Sequence, residues 1–280
     1  MREFNLNFSP LQIRKSPSIF LWLFLLISLS IQAQVSVVSW NLQNFGKSKT
    51  PEQITFIANT IKQFDIVAIQ EVVSGVGGAQ TVARLVDELD RTGTDWDYVV
   101  SAPSSPNGTE SERYAFLWKT AVVKKHRSWV DDLFVHEISR EPFFCTFSYY
   151  GKSFTISSFH AIPKKKQPET EIKYLKFLAA THVEKNVLFL GDFNLPQSHN
   201  VFNPLRKMGW SPAFQNQKTT LKMECKDGVC LASEYDNIWL PMTISLLDCG
   251  VILFYEDFPD MKAARKISDH VPIFVQFKVN

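Results

Sequence analysis

Val35-Ser36-Val37-Val38-Ser39-Trp40-Asn41-Leu42, then Pro51 to Gln63, then Ile66-Val67-Ala68-Ile69-Gln70-Glu71 decide the fold. The first segment is rich in β-branched residues and reads as a strand. The second places Ile54, Ile57, Ala58 and Ile61 on one helical face, with Thr50 as N-cap and Pro51 in the first position. The third is short and almost wholly apolar, the pattern of a strand covered on both faces. Strand, helix and strand within 37 residues predict a layered α/β domain.

The same alternation continues outward. Helices are expected at 79–90 and 169–182, and strands at 113–119, 143–149, 154–160, 187–191, 236–240, 246–254 and 271–279, with a Tyr150-Gly151 turn joining the strands at 143–149 and 154–160. No linker, repeat or low-complexity tract breaks the run, so residues 34–280 are expected to form one domain.

Residues 1–33 read differently. Arg2, Arg14 and Lys15 precede a 13-residue apolar run from Ile19 to Ile31, which ends at the small residue Ala33. The run is shorter than the roughly 20 residues that span a bilayer, so it reads as a secretory signal cleaved after Ala33, with an uncleaved anchor as the alternative. A secreted or periplasmic destination follows, with no stable membrane association once the signal is removed. The remaining chain carries 27 basic and 27 acidic residues. A protein that holds nucleic acid by bulk charge shows a basic excess, so phosphate binding here must be local.

An oxidising destination favours cysteine pairing. Cys225 and Cys230 bracket the turn-like Lys226-Asp227-Gly228-Val229 and are expected to form a disulfide, whereas Cys145 and Cys249 lie in apolar runs and read as buried thiols. No cysteine or histidine cluster has zinc spacing.

Polar residues sit at nearly every strand end, where α/β folds collect their chemistry. Asn41, Glu71, His160, Asp192 with Asn194, Asp236 with Asn237, and Asp269 with His270 are all so placed. Hard oxygen donors combined with two histidines suit a divalent-metal hydrolase using Mg²⁺ or Mn²⁺. His126, His136, His182 and His199 have no motif around them and read as surface or packing residues.

These residues lie within eight blocks: S-W-N-L-Q-N-F at 39–45, I-Q-E-V at 69–72, E-R-Y-A-F-L-W at 112–118, S-R-E-P-F-F at 139–144, S-F-H-A-I-P at 158–163, G-D-F-N at 191–194, E-Y-D-N-I at 234–238 and I-S-D-H-V-P at 267–272. In this order they resemble the endonuclease/exonuclease/phosphatase superfamily, nearest its deoxyribonuclease I branch. The resemblance implies a four-layer sandwich of two mixed β-sheets flanked by helices. It implies a metal-dependent phosphodiesterase, a secreted endonuclease leaving 5′-phosphate and 3′-hydroxyl ends on DNA.

By the same resemblance Glu71 is the principal metal ligand, with Asn41 and Asp269 beside it. His270 is the general base, oriented by Asp236. His160 is the acid or phosphate donor, with Glu112 as its carboxylate. Asp192 and Asn194 contact the scissile phosphate or a second metal, and Arg140 offers its guanidinium to a phosphate oxygen unless it pairs with Glu141. The family's minor-groove grip falls on Gln43, Val73 and Glu110, which are unsuited to holding DNA. Lys164, Lys165 and Lys166, with Lys262, Arg265 and Lys266, are the basic groups that remain. A phosphatase or phosphodiesterase acting on a small or lipid-linked phosphoester is the alternative, and an inactive binding module on the same fold a more distant one. Asp257 to Asp260 is a candidate structural Ca²⁺ loop, and Asn107-Gly108-Thr109 fits a glycosylation acceptor. No obligate protein partner is evident and a monomer is expected.

Overall fold

In the computed structural model, which describes residues 34–104, 111–182 and 186–280, fourteen strands are distributed over two six-stranded sheets and one hairpin. The first sheet runs β13 (Ile244–Val251), β14 (Ile273–Val279), β1 (Val35–Phe45), β2 (Ile66–Val73), β4 (Glu112–Lys119), β3 (Trp96–Val100). The second runs β5 (Lys124–Val130), β6 (Phe143–Tyr149), β7 (Lys152–His160), β8 (Val187–Asp192), β12 (Asp236–Pro241), β9 (Trp210–Pro212). Each sheet has one parallel pair at its centre, β1 with β2 and β7 with β8, and is otherwise antiparallel. Both sheets are therefore mixed.

The sheets meet face to face through Val37, Ile66, Ala68, Phe116, Val275 and Phe277 on one side and Phe147, Phe154, Ile156, Leu188, Leu190 and Ile238 on the other. On the outer face of the first sheet lie α1 (Pro51–Ile61) and α2 (Val76–Asp90). The outer face of the second is covered by α3 (Glu169–Ile172), α4 (Leu175–Thr181) and α5 (Asn203–Lys207). The resulting four layers match the expected architecture. A buried polar contact crosses between the sheets: Gln70 Nε2 donates to Ser158 Oγ of the other sheet at 2.8 Å and to Ser39 Oγ of its own at 3.2 Å, all three residues being buried. It ties β2 to β7 directly beneath the strand ends that carry Glu71 and His160.

Local chemistry explains most boundaries. Thr50 caps α1 through a complete capping box with Gln53. The second helix starts three residues earlier than expected, because Gly77 and Gly78 belong to it. A Cβ at Gly78 would stand 2.1 Å from the Val73 carbonyl oxygen, so close packing against β2 dictates glycine in spite of its poor helix propensity. The helix expected over 169–182 is interrupted by a turn at 173–174. The strand expected over 246–254 spans Ile244–Val251, and Phe254 is buried in a 3-10 turn instead. Strands β3, β5 and β9 were not anticipated. Strand β5, Lys-Lys-His-Arg-Ser-Trp-Val, is a polar sheet edge without apolar alternation.

Cys225 and Cys230 are bonded across the hairpin of β10 (Leu221–Lys226) and β11 (Val229–Leu231), as expected. Cys145 is a buried thiol pushed up to about 12 by burial, whereas Cys249 is only half-buried because β13 is an edge strand. Asp260 caps the short helix α6 (Met261–Ala264) through the Ala263 amide, and Asp257 is exposed. Among the described residues no cluster of three metal-ligating groups forms at this loop. No helix among them is long and apolar enough to cross a membrane. The signal segment, Glu110 and Asn107-Gly108-Thr109 lie outside the described residues.

Candidate active site

One end of the sandwich gathers the polar strand ends. In the second sheet His160 pairs in register with Asp192, and Asp192 with Asp236, so the last residues of β7 and β8 and the first of β12 stand side by side. Gly191 makes this possible. Its φ is +128° and an added Cβ would lie 2.0 Å from the Phe159 carbonyl oxygen, which excludes every other residue. In the first sheet the β2 register shifts between Ile69 and Val72, and Glu71 adopts a left-handed φ of +61°. A non-glycine residue held there is strained, and the kink turns its carboxylate out of the ladder.

Two histidines face one another across Asp192. The Nδ1 of His160 lies 3.1 and 3.0 Å from the two Glu112 oxygens, and its Nε2 lies 3.4 Å from Asp192 Oδ2. The Nδ1 of His270 lies 2.7 Å from Asp236 Oδ2, and its Nε2 lies 3.6 Å from the same Asp192 oxygen. Each imidazole is thus held by a carboxylate on one nitrogen and presents the other to a common point. Thr219 Oγ1 donates to Asp236 at 2.6 Å. Trp40 Nε1 donates to the His270 carbonyl at 2.8 Å, which fixes the loop that carries the ring.

Arg140 is buried, and its ion pair is with Glu112 rather than with its neighbour Glu141. Its Nη1 donates to Glu112 at 3.1 Å and its Nη2 to the Ala161 carbonyl, while its Nε is buried without a partner. That orphaned donor is the part of the guanidinium left for a ligand oxygen. Asn194, in a left-handed conformation, donates from Nδ2 to the same carbonyl at 3.0 Å. Lys164 and Lys165 are exposed on a 3-10 turn directly after Pro163. Pro163 lines an open cavity of about 380 Å³, together with Asn44, Glu71, Val73, Ser74, Ser111, Glu112 and Arg140.

The buried charges shift one another. Burial alone would push the Glu112 carboxyl up, but His160 and Arg140 outweigh it and hold it below the usual carboxylate range. Burial would lower His160, yet Glu112 outweighs both that effect and the opposition of Arg140, and the imidazolium is favoured. For His270 burial is overcome by Asp236, Asp192 and Asp269, and the ring is raised to about 10.

Asn41 is fully buried and its Nδ2 donates to Glu71 at 3.2 Å and to Asp192 at 3.3 Å, which leaves Oδ1 buried and without a partner. An orphaned carbonyl oxygen beside two carboxylates fits a hard divalent cation. Asp269 Oδ2 is partly engaged, accepting from Gln43 Nε2 at 3.0 Å and from Arg265 at 3.5 Å. A second potential ligand set is Asp192, Asp236 and His270, all buried.

Several residues that build the site were not among the expected site residues. Gln43 holds Asp269, and Thr219 holds Asp236. Lys49 is buried, its Nζ bonding the Lys266 and Ile267 carbonyls at 3.0 and 2.6 Å, and burial lowers it to about 8 despite Asp269 and Glu71. Arg265, one of the basic patch residues, is likewise spent on the Leu221 carbonyl at 2.7 Å. Of the remaining histidines, His182 is a buried packing residue paired with Asp131 at 2.9 Å, and His199 caps a 3-10 turn.

The family described as Endonuclease/Exonuclease/phosphatase matches residues 38–270. A protein named deoxyribonuclease from Thioalkalivibrio sp. (strain K90mix) is 30% identical over 283 residues, covering 92% of this chain and 75% of that protein. Human deoxyribonuclease-1 is 25% identical, covering 89% and 94% respectively. Among solved structures, the human Nocturnin catalytic domain with bound sulfate superposes with a TM-score of 0.63 at 17% identity, over 89% of this chain and 96% of that one. A mannosyl-6-phosphatase of Bacteroides thetaiotaomicron does so with a TM-score of 0.62 at 18% identity, over 87% and 99%. At these identities the two superpositions establish the shared fold alone.

Proposed function

Because the chain belongs to the endonuclease/exonuclease/phosphatase family and is a phosphoric ester hydrolase, we propose that it is a secreted or periplasmic, divalent-metal-dependent endonuclease that cuts DNA to 5′-phosphate and 3′-hydroxyl ends. The observation that carries this reading is the pair of imidazole Nε2 atoms converging on Asp192 Oδ2 at 3.4 and 3.6 Å. A tetrahedral phosphoryl group between them would meet a proton donor and a proton acceptor on opposite sides, which in-line attack by water requires.

In this reading His270, oriented by Asp236, takes the proton of the attacking water, and His160, oriented by Glu112, donates to the phosphoryl or leaving oxygen. Arg140 Nε and the Asn194 amide bind non-bridging oxygens from below. Glu71, Asn41 Oδ1 and Asp269 would hold Mg²⁺ or Mn²⁺, with Asp192 available to a second ion. When bound, the cation supplies charge neutralisation at the phosphoryl oxygens and offsets the carboxylate field that keeps His270 protonated. Lys164 and Lys165 directly follow Pro163 of the cavity wall and would meet a flanking phosphate.

The cavity favours one alternative. Val73, Ser74, Ser111 and Pro163 line it and Arg140 is the one cation among the described residues that do, so a phosphomonoester or small phosphodiester also fits. Supercoiled plasmid in Mg²⁺, with an EDTA control and Glu71→Gln, decides between them. Nicking that needs both metal and Glu71 supports the nuclease. Hydrolysis of para-nitrophenyl phosphate without any nicking would replace it with the small-substrate reading.

A further inference from the structure

We propose that Glu171 is a positioning residue for this site, its carboxylate clamping the segment that carries Arg140 to the strand exit that carries His160. The proposal rests on the phosphoester-hydrolase reading of that flank. Glu171 lies on α3, outside every motif block, and is only 3% exposed. Its Oε1 accepts the Ser139 amide at 2.7 Å and its Oε2 accepts the Ile162 amide at 3.0 Å. Ser139 immediately precedes Arg140, and Ile162 follows His160 by two residues. Both amides belong to irregular backbone with no ladder partner, so the carboxylate supplies the acceptor each of them needs.

Between the two clamped amides lies Ala161, where the rest of the flank converges. Its carbonyl accepts from Arg140 and from Asn194, and its amide donates to the Asp192 carbonyl at 2.9 Å. A displacement of the 160–162 exit would therefore move His160, Arg140 and Asn194 together. Burying a carboxylate without a directly bonded cation is unfavourable, and an apolar residue would fill the same volume at less cost. What a leucine could not do is join the two loops. Charge adds to the effect: Arg140 and His160 are the cations that Glu171 acts on electrostatically, so its negative charge also lies beneath the two cationic groups of the phosphate subsite.

The test uses the mature chain, with Glu171→Gln as a near-isosteric variant and Glu171→Asp as one that keeps the charge but is too short to span both amides. Kinetics on plasmid and on para-nitrophenyl phosphate are combined with amide hydrogen exchange at Ser139 and Ile162. Expected for Glu171→Gln are a kcat lower by about ten-fold or more with KM within about three-fold, and faster exchange at both amides. Placed in an Arg140→Ala background, Glu171→Gln should cost clearly less than in the wild type, because part of its target is gone. Wild-type kcat with only a lowered Tm, unchanged exchange, or full additivity with Arg140→Ala would each overturn the clamp. A wild-type chain inactive on both substrates would instead overturn the hydrolase reading, while exchange at Ser139 and Ile162 still decides whether the clamp exists.

Discussion

The two histidine–carboxylate pairs have the same geometry and different electrostatics. His270 faces Asp236, Asp192 and Asp269 and is raised to about 10. His160 also faces two carboxylates, but Arg140 shares Glu112 with it and opposes its charge. Two rings drawn to one point are thus charged by different surroundings, and because burial among carboxylates favours the imidazolium at both, His270 can serve as the base only once a bound cation offsets its carboxylates. The difference also shows where each pair is vulnerable. His270 can shed its proton if a partner is lost, whereas Arg140 cannot.

The strongest attack on this pairing is to delete either ring. His160→Ala and His270→Ala should each lower kcat by about three powers of ten or more with an unchanged circular dichroism spectrum, and the double variant should be little worse than either single one. Retention of a tenth of the activity in one of them would remove that ring from the chemistry.

Next come the carboxylates, where the pairs should part company. Glu112→Gln leaves the buried Arg140 cation without its partner, so melting temperature and rate should both fall. Asp236→Asn should cost about two to four powers of ten in rate with a smaller change in Tm, since His270 can deprotonate. Equal thermal shifts in the two variants would break the proposed asymmetry.

The pH dependence of stability isolates His270. A group whose folded-state affinity is raised from 6.5 to about 10 contributes stability that is fully present below pH 6.5 and lost as pH rises through about 10. Metal-free protein should therefore melt progressively lower across that window, by about 5 °C or more, and His270→Gln should flatten the slope. In the same samples, imidazole NMR should show both rings holding their protons above the ordinary histidine range, and Arg140→Ala should raise His160 further. No change at His160 would mean that Arg140 does not oppose its charge.

The smallest effect lies far from both pairs in the chemistry, although not in the chain. Loss of the Cys225–Cys230 bond through Cys225→Ser should lower stability by about 2 kcal/mol, the loop-closure value for so short a ring, and leave kcat within about two-fold. A larger rate loss would show that the hairpin acts on the Asp269–His270 loop through Leu221, whose amide bonds the Asp269 carbonyl at 2.7 Å.

Much of this was legible in the chain. Periodicity gave the helices and the buried strands, because burial on one or two faces writes itself into residue type. Asn41, Glu71, His160, Asp192, Asp236 and His270 were identifiable as polar groups placed where apolar strands end, and the structure brings them to one end of the sandwich. Cys225 and Cys230 were identifiable from their spacing. What escaped was held by contacts without local pattern. Strand β5 is polar because it is an edge, Gly78 belongs to a helix because of what lies 2.1 Å away, and the ion pair of Arg140 with Glu112 joins residues 28 apart in the chain.

The sequence by itself determined which groups could do chemistry, since carboxylate, amide and imidazole are properties of residues and their order along strands follows from apolar patterning. The tertiary structure alone decided how those groups would behave. Proton affinity depends on which charges lie within a few ångströms and how little water separates them, and His160, Glu112 and Arg140 come from three distant segments of chain. Glu171 likewise accepts the Ser139 amide from 32 residues away. Distances across a fold are not encoded in spacing along it, and at this site those distances separate one histidine from the other.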